Sequence, residues 1–184
     1  MATTTTRGLG RTITCPIPAA ANVATIGGDS AGAHLSAVTL LRLRDRHAIT
    51  GAFAAANLIY GVFDLAMTPS QRNWGERNLV LTTAVMRYFE ETFLPGMDDE
   101  AKRDPDVSPL YADLRDMPPA LFSVGTLDPL LDDTLFMEAR WRAAGGRTEL
   151  RIWPEAIHAF HHPFASARSQ NPPAEAGPRH RAAA

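Results

Sequence analysis

Apolar residues along the chain fall into short runs that alternate with helical spacings. Residues 22–27 form a short apolar run that ends in Gly27-Gly28, and 52–60 form a second that ends at Gly61. Residues 120–124 make a third, broken by Gly125, and 148–153 a fourth, closed by Pro154. Each predicts a strand. The intervening 30–46 read as a helix, with Leu35, Val38, Leu41 and Leu43 apolar and Arg42, Arg44 and Arg46 near its end. Bases in a last turn suit the negative end of a helix dipole. Residues 81–94 predict an amphipathic helix with Val85, Phe89 and Phe93 on one face, a stripe expected to pack as core or as part of a cap. Asp132 or Asp133 is expected to cap a helix running to Ala144, stopped by Gly145-Gly146. Strands joined by such helices need crossover connections, so the class is α/β with a mostly parallel sheet.

The two ends differ from this middle. Residues 1–21 show no helical period, only a weak strand signal at 12–15, and are expected to be irregular. Residues 165–184 are rich in Ser, Pro, Ala and Arg with few large apolar side chains. They bury too little to offset ordering entropy, which predicts a flexible tail. The folded domain is expected to occupy 22–164. At 45% hydrophobic and 21% charged, the composition excludes wholesale disorder. A formal net charge of −2 gives no basis for nucleic-acid binding. One cysteine, Cys15, excludes a disulfide framework and makes a reducing cytoplasm the default location. No run approaches the roughly 18 apolar residues of a membrane span.

The chemistry concentrates in Gly28-Asp29-Ser30-Ala31-Gly32, which fits Gly-x-Ser-x-Gly between a predicted strand and a predicted helix. A sharp turn there strains the central backbone and lifts the serine side chain out at the carboxyl edge of the sheet. Glycines at 28 and 32 are expected because a Cβ at either position would collide with its surroundings. The amide of Ala31 would then stand at a helix N-terminus as an oxyanion donor. The bland alternative is a turn in which Ser30 only caps the helix. A nucleophilic serine needs a base and a carboxylate to orient it. Asp128 follows the third strand and His158 the fourth, so both reach the edge that Ser30 occupies. Asp132 and Asp133 are weaker alternatives to Asp128, since a helix start would direct them away. His158, His161 and His162 lack a zinc-ligand spacing, so no native metal site is expected.

These residues resemble the α/β-hydrolase fold, and within it the hormone-sensitive-lipase-like esterases. The resemblance is carried by Gly27-Gly28-Asp29-Ser30-Ala31-Gly32, Leu58-Ile59-Tyr60-Gly61, Ser108-Pro109-Leu110, Gly125-Thr126-Leu127-Asp128-Pro129-Leu130 and Ile157-His158-Ala159-Phe160, in order. It implies a partial α/β-hydrolase fold with a small helical cap segment at 73–104. It also implies a carboxylic ester hydrolase that works through an acyl-enzyme on small-molecule esters without a cofactor. Carried over by position, Ser30 is the nucleophile, Asp128 the acid, His158 the base, Ala31 an oxyanion donor, and Gly28, Asp29 and Gly32 the elbow. Family members also carry a His-Gly-Gly-Gly oxyanion loop about 70 residues before the nucleophile. Only 29 residues precede Ser30, and none of them forms it, so the chain is expected to correspond to the C-terminal portion of an esterase with impaired activity. The alternative reading is a non-catalytic remnant or subunit that associates through a bare sheet edge at 23–26, as a homo-oligomer or with another chain.

Overall fold

A computed structural model describes residues 24–162. The expected strand at 12–15, the irregular segment 1–21 and the tail 165–184 lie outside the described residues. Four strands form one sheet: β1 (Thr25–Asp29), β2 (Ala55–Ile59), β3 (Ala120–Leu127) and β4 (Thr148–Ile157). They stand in the order β1-β2-β3-β4, and every neighbouring pair is parallel. α1 (Ala31–His47) links β1 to β2 and α5 (Leu131–Ala143) links β3 to β4. The longer β2–β3 connection carries α2 (Pro69–Asn73), α3 (Thr83–Phe93), α4 (Asp99–Lys102) and a 3-10 turn at Pro109–Tyr111. Parallel strands demand these crossovers, and right-handed crossovers between successive strands all fall on one face of the sheet.

The core lies on that face. Ala33, Ala37, Leu40 and Leu41 of α1, with Met137 and Trp141 of α5, close over Ala56, Leu58, Ala120 and Phe122 of the two central strands. Phe122 meets the Trp141 ring edge-on at 5.6 Å between centroids. The Trp141 indole N–H donates to Pro118 O at 3.0 Å, so this large side chain is buried with its polar atom partnered.

Two strands run past the residues expected to end them. β3 continues through Gly125 to Leu127, because Gly125 serves close approach rather than termination. A Cβ there would lie 2.0 Å from Ala156 O, and the β3–β4 register shifts between Gly125 and Leu127. β4 continues through Pro154 to Ile157. Among the described residues β4 is an edge strand, where a missing N–H costs no ladder bond. Among the described residues β1 is the opposite edge. No helix among the described residues is long and apolar enough to cross a membrane.

The N-terminus of α5 also departs from expectation. Neither Asp132 nor Asp133 caps it; the cap position is Leu130, without a side-chain bond. Asp133 is fully buried and reaches across to the segment after β2. Its Oδ1 accepts from the Phe63 N–H (2.7 Å) and the Asp64 N–H (2.9 Å), and its Oδ2 from the Thr68 hydroxyl (2.6 Å) and Gln71 Nε2 (2.7 Å). Burial pushes this carboxyl up to about 7, while the four donors pull it back down. Asp132 accepts from the Ser70 N–H at 2.8 Å. Together the two aspartates tie the β2 loop to the helix that follows β3. Asp133→Ala strands four donors in the interior, so urea unfolding is expected to show a loss of at least about 3 kcal/mol.

Candidate active site

The β1–α1 turn sets the geometry. Ser30 holds φ 54° and ψ −118°, a left-handed region that residues with a Cβ rarely occupy. Its N–H donates to Ile59 O at 3.0 Å, extending the β1–β2 ladder by one bond, while its carbonyl accepts from the Ala33 and His34 amides. The side chain makes no capping bond to α1, which removes the bland reading of Ser30 as an N-cap. Its Oγ instead faces His158 Nε2 at 3.1 Å. Ala31 is the first residue of α1, where an amide has no partner within the helix.

The two flanking glycines differ. A Cβ on Gly28 would lie 2.6 Å from the Gly32 carbonyl carbon and 2.8 Å from its Cα, because the chain doubles back on itself. A Cβ on Gly32 would meet nothing within 4 Å among the described residues. The expectation that both positions are closed to a side chain therefore holds only for Gly28. Gly28→Ala is expected to lower stability by about 1–3 kcal/mol or more. Gly32→Ala is expected to raise it by roughly 0.5–1 kcal/mol through helix propensity. Thermal unfolding of the two variants separates the roles.

Asp128 and His158 reach Ser30 from β3 and β4. Asp128 is buried just beyond the end of β3, with Oδ1 taking the Leu130 N–H at 2.9 Å. Its Oδ2 lies 2.9 Å from His158 Nδ1. His158 is buried too, and its ring packs 4.6 Å from that of Tyr60. The three side chains make a continuous line from carboxylate to imidazole to hydroxyl, assembled from residues 30, 128 and 158. Such a line can pass the serine proton to the ring while the carboxylate fixes the tautomer. Asp132 and Asp133, the weaker candidates for the acid, are occupied elsewhere.

A cavity of about 460 Å³ opens beside Ser30 and Ala31. Val62, Leu65, Met86 and Leu130 line it with Leu35, Phe89 and Phe93, so the wall is overwhelmingly apolar. Of the two expectations for the aromatic stripe, core or cap, packing as core does not hold: Phe89 is 57% and Phe93 63% accessible, and both border the cavity. α3 buries Met86 and Glu90 in their place. Thr82 caps this helix by accepting from the Val85 N–H at 3.1 Å. His34, also on the cavity wall, binds Val107 O through Nε2 at 2.8 Å, and desolvation lowers its pKa so that it stays neutral.

Glu90 is the cavity's unusual member. Its Oε2 lies 4.0 Å from Lys102 Nζ, and its Oε1 is buried with no hydrogen-bond partner. Burial pushes its carboxyl up to about 7, against the opposing pull of Lys102 and Arg87. The folded protein thus keeps a proton that the unfolded chain releases near 4.5. Stability is expected to fall as pH rises through that window and to level off above about 7. Melting temperatures across the window should show this slope in the natural protein and a shallower one in Glu90→Gln, where buried Asp133, also raised to about 7, still contributes.

Two residues at the site were not singled out from the sequence. Tyr60 is packed against His158, and its hydroxyl lies 2.5 Å from His161 Nδ1. Its position at the end of an apolar run was the only signal. Glu90 is a charged position in a helical segment, which reads as surface. Asp29, His161 and His162 form the only side-chain group among the described residues whose donor set could hold a metal ion.

Comparison with known proteins adds the lineage. A family model described as the alpha/beta hydrolase fold matches residues 13–162. An acetyl-hydrolase of Streptomyces hygroscopicus is 38% identical over 138 residues, which cover 74% of this chain and 44% of that protein. An acetyl esterase of Salmonella paratyphi B is 35% identical over 148 residues, covering 77% and 44%. Among solved structures, a hyperthermophilic esterase from Pyrobaculum calidifontis superposes with a TM-score of 0.68 at 28% identity, over 79% of this chain and 50% of that one. A hormone-sensitive lipase from a metagenome library gives 0.66 at 31% identity, over 74% and 45%. The chain spans less than half the length of these curated relatives.

Proposed function

Because the chain belongs to the α/β-hydrolase fold family, in its hormone-sensitive-lipase-like branch, we propose that it serves the hydrolysis of small carboxylic esters through an acyl-serine intermediate. The observation that carries this reading is the line Asp128–His158–Ser30, with contacts of 2.9 and 3.1 Å, at the mouth of an apolar cavity. Ser30 Oγ attacks the ester carbonyl while His158 Nε2 takes its proton. The proton then passes to the departing alcohol, and a water activated by the same ring releases the acid. Asp128 holds Nδ1–H and supports the imidazolium. The amide of Ala31, at the positive end of α1, serves as an oxyanion donor. No step uses a cofactor.

In this reading residues 73–104 act as a small cap that shapes the acyl pocket, which the exposure of Phe89 and Phe93 at its rim supports. The modest cavity fits short acyl chains, in keeping with the acetyl esterases among the relatives. The lone cysteine suits a reducing cytoplasm. A second reading rests on β1 being an edge strand: a chain that does not catalyse and pairs this edge with a second copy or another subunit.

Hydrolysis of p-nitrophenyl acetate and butyrate separates the two. The ester-hydrolase reading expects Ser30→Ala to remove turnover above background and Asp128→Asn to lower kcat by about 10⁴-fold. Equal rates for the natural chain and Ser30→Ala would leave the non-catalytic reading standing.

A further inference from the structure

While His158 turns toward Ser30, the two histidines after it turn toward Asp29. Ala159 takes φ 61°, and the His162 N–H donates back to Ala159 O at 2.8 Å. This tight turn at 159–162 sets His161 and His162 apart from the direction of His158. His162 Nε2 lies 3.3 Å from Asp29 Oδ2, and the His161 and His162 rings are 4.2 Å apart between centroids. Donor atoms of the three side chains all fall within 4.8 Å of one another. Asp29 and His162 are partly exposed and His161 is exposed, so an ion reaches them from solvent.

We propose that Asp29, His161 and His162 form a three-ligand site for a divalent transition ion of the Zn²⁺ class, with the remaining positions open to water. Ligands bound at about 2.0–2.1 Å around a tetrahedral ion stand roughly 3.4 Å from each other. The Asp29–His162 pair already has that spacing, and rotation of exposed side chains brings in the third. Two imidazoles and one carboxylate suit Zn²⁺ or Co²⁺ and are too poor in oxygen for Ca²⁺ or Mg²⁺. A ligating histidine donates its other ring N–H to an oxygen, and the Tyr60 hydroxyl stands 2.5 Å from His161 Nδ1 to take it. The Tyr60 ring also packs on His158. An ion held here clamps the end of β1 to the turn that carries His158. The site was invisible as a sequence pattern, because its aspartate lies more than a hundred residues before its histidines and His158 takes no part.

Titration of the full chain with Co²⁺, followed by visible d–d absorption, and with Zn²⁺, followed by calorimetry, tests the site without reference to catalysis. The expected result is one ion per chain, Co²⁺ bands displaced by Zn²⁺, and a melting temperature that rises with Zn²⁺. Affinity is expected to fall more than about tenfold in Asp29→Asn and in His162→Gln, since even an outer partner of a ligand contributes 10–100-fold. His47→Ala and His180→Ala are expected to change nothing. Absence of the bands, or equal affinity in the folded Asp29 and His162 variants (an adventitious ion only), overturns the site. Should either variant fail to fold, paramagnetic broadening by Co²⁺ in the natural chain decides. Loss of the His161 and His162 ring signals supports the site, and loss of His47 signals in their place overturns it.

Discussion

Ser30 sits in a left-handed backbone conformation that a residue with a Cβ adopts at a cost on the order of 1–3 kcal/mol. The surroundings hold it there from both sides. Its N–H is committed to Ile59 O in the sheet, and its carbonyl to the first amides of α1. Gly28 lets the chain fold back against Gly32 without a side chain between them. Relaxing the turn would cost those bonds, so the serine stays turned away from its own helix and toward His158. The line to Asp128, the cavity beside it and the placement of Ala31 all follow from that one constraint.

A second fixed point complements the first. Asp133 gathers four donors from residues 63–71 and so locks the long β2–β3 connection against α5. The same helix follows the Asp128 loop, whose Leu130 lines the cavity. One wall of the cavity is therefore rigid. The other is α3, which buries only Met86 and Glu90 and leaves its aromatic side chains accessible. With a firm wall beside Ser30 and a lightly packed one opposite, the cavity can change shape along α3 without disturbing the turn at Ser30.

The fold class, the parallel sheet, all four strands and the three long helices were legible from apolar spacing, because local pattern and tertiary role agree there. The convergence of Ser30, Asp128 and His158 was legible because each follows a strand closely and the strands share one edge, while their roles belong to the proposed reaction. The misreadings have a common physical origin. Gly125 and Pro154 read as breakers, yet a glycine also permits close backbone approach and a proline is harmless on an edge strand. Phe89 and Phe93 were left between core and cap because helical period reports a face but not what that face meets. Asp133 read as a cap because its true partners lie some seventy residues away, and Gly32 read as sterically required because its motif partner Gly28 is. In each case the deciding neighbour is remote in sequence.

The consecutive order of the strands has a bearing on how the molecule is made. Among the described residues β2, β3 and β4 each pair with the strand that precedes them in the chain, so this part of the sheet can grow in one direction without threading. The serine is placed with the first strand, the aspartate with the third and the histidine only with the fourth. A nascent or partly folded chain therefore carries a shaped serine turn but no imidazole beside it. The contact between Ser30 and His158 is thus a late reporter of folding, made only once β4 has docked.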